Sequence, residues 1–331
     1  MRESWERQSV RLELQKAQVA ALIEPAFPGQ SLVHYRTVSG GLSNSNIQVE
    51  LSLHPDPILL RIYVRDPAQA IKEWTLLSRL AGQVPVPRLY YIAPDSNVIP
   101  YPYAIMEWIE GERLEIALEQ KIAPADLQQM ISSIGGVLAR IHAMQFDIAG
   151  FLDKDLQVVT PISIGSDGLS EYLEQKLGGA APGRDRLGAG LADAVIEFAS
   201  REGGLLDSWT GAPALIHGDF GGSNILVRQD AQGWRTAAIL DWEFAFSGTP
   251  FFDFGNLLRP PLGSLAGVGQ AIETGYRDAG GVLPPDWRRM SDLVELISWA
   301  EFLGRPNCGP KLAADARAMI RRVMNDFTRR K

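Results

Sequence analysis

Over the first hundred residues the apolar positions fall in short runs and show helical spacing in one place only. Segments 31–39 (SLVHYRTVS), 45–53 (SNIQVELSL) and 58–64 (ILLRIYV) are rich in β-branched and aromatic residues, which favour an extended backbone. His54-Pro55-Asp56-Pro57 joins the second run to the third, and its two prolines impose a turn, so these runs predict an antiparallel hairpin. The period then changes. Segment 68–80 sets Ile71, Trp74, Leu77 and Leu80 along one helical face; Asp66 can cap it, Pro67 suits its first turn, and Gly82 stops it ahead of Pro85 and Pro87. Two more strands, 88–93 and 103–109, flank the turn-rich PDSNVIPYP. Five strands and one inserted helix predict a small α+β lobe over 1–109.

From Gly111 onward helical patterns prevail, at 125–144, 168–177, 187–201, 286–303 and 311–328. One interruption breaks them. The apolar runs 214–217, 225–227 and 237–240 are too brief for helices and read as strands, the last two joined across the polar RQDAQGWRT. The Gly/Ala-rich stretch 178–190 reads as a loose loop. The expected architecture is therefore α+β and bilobal, with a small antiparallel-sheet lobe over 1–109 and a larger, mainly helical lobe over 110–331.

Composition narrows the class. Of 331 residues 46% are hydrophobic and 21% charged, ordinary for a soluble globular chain. The net charge of −7, with no basic stripe, speaks against a nucleic-acid surface. The single cysteine, Cys308, rules out an intrachain disulfide and a cysteine-rich metal cluster, and fits a reducing cytoplasm. No run approaches the roughly 18 apolar residues of a spanning helix, and the charged, amphipathic 1–18 has no signal-peptide core. A cytoplasmic protein without membrane or nucleic-acid partners is expected, its N-terminal helix packed on the small lobe. Its oligomeric state is left open.

The chemistry concentrates in Leu215-Ile216-His217-Gly218-Asp219-Phe220-Gly221-Gly222-Ser223-Asn224-Ile225-Leu226. Asp219 precedes Asn224 by five positions, Asn224 enters a short strand, and Asp241 ends the strand paired with it. Neighbouring strands bring the start of one beside the end of the other, so Asn224 and Asp241 can turn oxygens toward one ion while Asp219 stands on the loop before them. Phosphoryl transfer from a nucleotide asks for such a set: a carboxylate near the acceptor hydroxyl, and hard oxygen ligands for Mg²⁺.

HGDFGGSNIL with the downstream ILDWEFAFSGTPFFDFG resembles the aminoglycoside phosphotransferase family, whose fold is that of the protein kinases. The resemblance implies that Asp219 is the catalytic base, that Asn224 and Asp241 hold the metal, that His217 shapes the loop, and that Asp253 anchors it from the start of a helix. It also implies that Ser39-Gly40-Gly41-Leu42-Ser43-Asn44 covers the nucleotide phosphates, with Gly40, Gly41, Ser43 and Asn44 close to them. Glycines let backbone N–H groups approach an anion that a Cβ would hold off. Arg61 stands where that fold has a phosphate-binding strand cation, with Glu73 as its expected ion-pair partner; Lys72 is the alternative cation. Tyr103–Gly111 resembles the strand that leads to the hinge, where backbone groups near Glu107 and Ile109 would read the base and Met106 would line the pocket. The interval from Asp241 to Asp253 leaves no room for a long activation loop, which disfavours a peptide-phosphorylating kinase.

The function expected is a Mg²⁺-assisted, ATP- or GTP-dependent transfer of phosphate to a hydroxyl of a small molecule, either an aminoglycoside-like antibiotic or an amino- or hydroxy-metabolite. Asp292, Glu295 and Glu301 on a late helix could receive a cationic acceptor, although a solvated helix face accounts for them more simply. The alternative, from another class, is a catalytically silent pseudokinase that binds a nucleotide or a partner. Such proteins lack the base, a metal ligand or the strand cation, and here each of those positions is filled.

Overall fold

The computed structural model describes residues 12–38 and 44–330. Residues 1–11 and 39–43, and with them the expectations for Gly40, Gly41 and Ser43, lie outside the described residues. The N-terminal part contains α1 (Lys16–Ile23), β1 (Leu32–Thr37), β2 (Ser45–Leu51), β3 (Ile58–Ile62), α2 (Gln69–Leu80), β4 (Leu89–Ala93) and β5 (Tyr103–Glu107). Its strands form one antiparallel sheet in the order β1-β2-β3-β5-β4.

Strand alternation divides this sheet into two unlike faces. Ile47, Val49, Ile58, Leu60, Ile62 and Ile105 point to one side and meet Val19, Leu22 and Ile23 of α1 in a small apolar core. The opposite side carries Arg61 with Ala104 directly across the ladder, and Leu59 with Met106. On that side Tyr63, Ala104 and Met106 pack against Ala70, with Trp74 beside them. The buried positions of α2 are Ala70, Glu73, Leu76, Leu77 and Leu80, whereas Ile71 and Trp74 are half-buried. The expected helical face is thus rotated, because α2 lies between the sheet and the second lobe and turns a carboxylate inward.

The C-terminal part begins with β6 (Glu112–Arg113), α3 (Leu114–Ala117) and α4 (Pro124–His142). It continues with β7 (Gly150–Leu152), β8 (Val158–Pro161), α5 (Ser166–Leu177), α6 (Pro182–Leu187) and α7 (Ala189–Glu202). Then come β9 (Ala214–Ile216), β10 (Ile225–Asp230), β11 (Gly233–Ile239), β12 (Phe246–Gly248), α8 (Phe251–Leu257), α9 (Val268–Asp278), α10 (Trp287–Gly304) and α11 (Pro310–Arg329). The stretch 178–190 is not a loose loop. Pro182 starts α6, and Arg186 on it donates to the carbonyls of Leu303 and Arg305 at 2.6 and 2.5 Å. Strands also occur more widely than expected, since β8-β7-β12-β9 make a second small sheet and β11-β10-β6 a third.

One large apolar core fills the C-terminal part and extends to Leu76, Leu77, Leu80 and Val84 of the N-terminal part. Two helices approach closely inside it. A Cβ on Gly135 of α4 would lie 2.2 Å from the Ile272 carbonyl oxygen, and one on Gly275 of α9 would lie 1.8 Å from that of Ser132. This crossing admits no side chain at either position.

Candidate active site

The hairpin β10–β11 brings the polar groups together. Ile225 pairs with Ile239, and the Leu240 N–H donates to the Asn224 carbonyl at 2.9 Å, so Asn224 lies beside the chain just before Asp241. Asn224 is buried and its amide nitrogen donates to the Asp219 backbone carbonyl and to Asp219 Oδ2, both at 2.9 Å. With Nδ2 turned to Asp219, Oδ1 is the amide atom left to face a cation. Asp241 has φ +65°, a conformation that a short polar side chain tolerates better than most.

Arg61 reaches this group from β3. Its Nη2 lies 2.6 Å from Asp241 Oδ1 and its Nε 2.9 Å from Glu73 Oε2. Glu73 is buried; its Oε2 also accepts from the Tyr63 hydroxyl at 2.6 Å, and its Oε1 accepts the Trp242 N–H at 3.4 Å. Burial opposes the Arg61 charge, but Glu73 and Asp241 more than offset that and hold the guanidinium well above its ordinary pKa. Burial, with Glu73 beside it, raises the Tyr63 phenol. The pairing of Arg61 with Glu73 is the one expected; the contact with Asp241 was not, and it brackets the guanidinium between two carboxylates. Lys72 does not share that place: its ammonium donates to the Ala245 carbonyl at 2.8 Å, and burial lowers its pKa.

The loop that carries Asp219 is fastened from behind. Asp253, fully buried at the start of α8, accepts the His217 N–H at 2.8 Å and the Gly218 N–H at 3.0 Å. His142 Nε2 approaches the same carboxylate at 3.2 Å, and its Nδ1 meets the Tyr276 hydroxyl at 3.1 Å. The His217 ring is engaged with backbone at both ends: Nε2 is 2.9 Å from the Leu240 carbonyl oxygen, and Nδ1 accepts the Asp219 N–H at 3.2 Å. Gly218 has φ +77°, and a Cβ there would lie 2.5 Å from the Phe244 carbonyl oxygen. Only glycine satisfies both conditions.

The remaining expected residues flank this centre. Asn44 is buried at the entrance to β2, one position beyond the Ser45–Ile62 pair. Met106 is buried on the sheet face that carries Arg61. The Glu107 N–H is taken by the Arg88 carbonyl at 2.8 Å, and Trp108–Gly111, with half-buried Ile109, leave the ladder. Tyr63, Trp242 and His142 were missed. Tyr63 could have been found from its place two positions after Arg61 on a strand, and so on the same face; nothing in the sequence marked the other two.

Charge and donor chemistry suit a divalent cation. Arg61 faces Glu73 and Asp241, one positive group against two carboxylates, and Asp219 adds a third carboxylate beside Asn224, so a polyphosphate needs added positive charge to enter. The carboxylate of Asp241 and the amide oxygen of Asn224 are hard ligands of the kind Mg²⁺ prefers.

A family model described as the phosphotransferase enzyme family matches residues 34–293. Two curated proteins also match: the probable acyl-CoA dehydrogenase IBR3 of Arabidopsis thaliana, 24% identical over 68% of this chain, and acyl-CoA dehydrogenase family member 10 of Mus musculus, 24% identical over 55%. The aligned regions make up 26% and 16% of those longer proteins. Among solved structures, the GDP and kanamycin complex of APH(2")-IIia superposes with a TM-score of 0.65 at 18% identity, covering 94% of this chain and 97% of that one. The ADP and hygromycin B complex of the aminoglycoside phosphotransferase APH(4)-Ia gives 0.63 at 18% identity, covering 92% and 97%. The fold is therefore the protein-kinase-like fold of the aminoglycoside phosphotransferases, and the chain belongs to the phosphotransferase enzyme family.

Proposed function

We propose that this small-molecule phosphotransferase moves the terminal phosphoryl group of ATP or GTP to a hydroxyl of a small acceptor, with Asp219 as the base. The observation that carries this reading is the meeting of Asp219, Asn224, Asp241 and Arg61, drawn from a loop, two strand ends and the other lobe. Arg61 contributes a guanidinium that can exchange Asp241 for phosphate oxygens. Asn224 and Asp241 would hold Mg²⁺, which when bound neutralises phosphate charge. The hydroxyl oxygen of the acceptor attacks the terminal phosphorus as the bond to the bridging oxygen breaks. The hydroxyl proton passes to the Asp219 carboxylate, and the nucleoside diphosphate leaves. Asn224 Nδ2, by donating to Asp219 Oδ2, fixes that carboxylate so that its other oxygen can take the proton.

The adenine or guanine base would lie against Met106 and the backbone from Glu107 to Ile109. Gly40, Gly41, Ser43 and Asn44 would close over the phosphates. The nucleotides in the related complexes, GDP and ADP, accord with either base. The positions proposed for base, metal ligands and strand cation are all filled, which supports this reading over the silent alternative.

Asp219→Ala should lower kcat by about 10²–10⁴-fold, the usual range for a general base, and leave the thermal shift induced by nucleotide intact. Near-normal turnover in that variant would remove Asp219 from the mechanism.

A further inference from the structure

The carboxylates that might have received a polycationic acceptor are already spent. Glu295 is buried against Arg259 at 2.5 and 3.0 Å, Asp292 pairs with Arg330, and Glu301 is engaged by Tyr172 at 2.5 Å and Lys176 at 2.8 Å. Glu295 and Asp292 are largely buried, so of the three only Glu301, 37% exposed, keeps part of a solvated face, and none is a free anion.

Glu115 meets the Asp219 loop at Gly222, but the small sheet that leads into the loop carries an apolar row. In the sheet β8-β7-β12-β9, Thr160, Phe151, Phe246 and Ile216 stand opposite one another in a single row. Residues across a ladder share a face, and this row lies away from the large core, which takes Leu152 and Leu215 from the other face. Phe151 is 56% exposed and Phe244 39% exposed. The Phe246 ring lies 6.2 Å from Phe151 and 5.2 Å from Phe252, with Ile162 packed beside it. A Cβ on Gly248 would fall 2.6 Å from the Phe246 ring, so the missing side chain leaves room for that ring.

The chain segments that build this wall are those that carry the site. Ile216 stands three residues before Asp219, Phe244 three after Asp241, and Phe252 one before Asp253. The Phe244 carbonyl also touches Gly218. Phe246 and Ile216 are themselves buried, so the accessible rings are Phe151 and Phe244; exposed rings on the chain segments that carry a polar centre mark a binding surface more than a chance of composition.

We propose that this aromatic wall receives the apolar body of the acceptor, so that the substrate is a hydroxylated compound with an alkyl or aryl framework, not a polycationic amino sugar. The proposal rests on the phosphotransferase reading above. Phe151 acts in specificity: it contacts the part of the acceptor that does not react, and burial of that part against the ring contributes to binding.

The test measures nucleoside diphosphate release with magnesium and ATP or GTP for straight-chain primary alcohols of increasing length, aryl alcohols and kanamycin. We expect kcat/KM to rise with chain length by roughly 10-fold per added methylene at the steepest part of the series, with kanamycin a poor acceptor. Phe151→Ser and Phe244→Ser should each flatten that dependence, chiefly through KM, whereas Phe151→Leu should preserve most of it. Three results would overturn the proposal: kanamycin outperforming the alcohols, a chain-length dependence unchanged in both serine variants, or concentration-dependent dimerisation that Phe151→Ser abolishes. A parent protein that shows a magnesium-dependent nucleotide shift but ignores chain length loses this inference alone; one that shows no such shift loses the phosphotransferase reading as well.

Discussion

Asp253 shows how much one side chain can fix. Its carboxylate, without solvent contact, accepts two consecutive backbone N–H groups, those of His217 and Gly218, and it also meets His142. A buried donor left without an acceptor costs about 1–3 kcal/mol, more where a charge is involved. Asp253→Ala should therefore lower unfolding stability by about 3–5 kcal/mol, visible as a reduced urea midpoint with an unchanged slope. It should also displace the Asp219 loop, so that turnover falls further than the lost fraction of folded protein explains. Asp253→Asn keeps one acceptor oxygen and turns an N–H toward the other donor, and it should fall between the two. Equal stability of parent and Asp253→Ala would show that water replaces the carboxylate. Asp253 was implied by the family resemblance, but His142 was not, since a histidine near the end of an apolar helix has no distinguishing neighbour in sequence.

At the level of elements, legibility followed length and periodicity. The strands of the first sheet and the long helices α4, α10 and α11 have enough repeats for a period to emerge, and each was expected within a few residues of its bounds. β7, β8 and β12 have only three or four residues and borrow their definition from one another. α9 was missed for a different reason. Gly269 and Gly275 weaken its helical pattern, yet Gly275 is there because α4 presses against it, a cause that lies in another part of the chain. A methyl group at 275 meets the Ser132 carbonyl at 1.8 Å, so the two helices must separate. Gly275→Ala should cost about 1–3 kcal/mol despite the better helix propensity of alanine, as overpacking does. Thermal unfolding decides it: a stabilised variant would mean that the crossing is slack and that glycine there is incidental. The clustering of Asp219, Asn224 and Asp241 was readable because strand pairing alone brings their backbones together, whereas the Arg61–Asp241 contact depends on how the lobes meet.

Across the whole molecule, the lobes are joined by apolar contacts of α2 and by a short series of polar ones. Arg61 meets Asp241, Lys72 holds the Ala245 carbonyl, and Glu73 accepts the Trp242 N–H. These three, and Arg65 with Glu243, end on the segment from Asp241 to Ala245, with the Ile239 N–H donating to the Pro85 carbonyl just before it, so the lobe junction and the proposed metal site are one structure. A nucleotide–metal complex that engages both Arg61 and Asp241 must therefore exchange their ion pair for its own contacts, and its binding is read as global stability. Saturation at 100 times Kd adds about 2.7 kcal/mol, several degrees in a thermal scan of the parent. Asp241→Asn keeps the shape and a residue type that accepts positive φ, but removes the charge. Arg61 retains Glu73, and Asp241 is already one-third exposed at 32%, so the ligand-free variant should lose no more than about 1 kcal/mol. With nucleotide and magnesium the difference should widen, the parent rising further with the metal than with a chelator while Asp241→Asn rises equally in both. A magnesium increment that survives in Asp241→Asn would assign the cation to other ligands and leave Asp241 as no more than a clasp between the lobes.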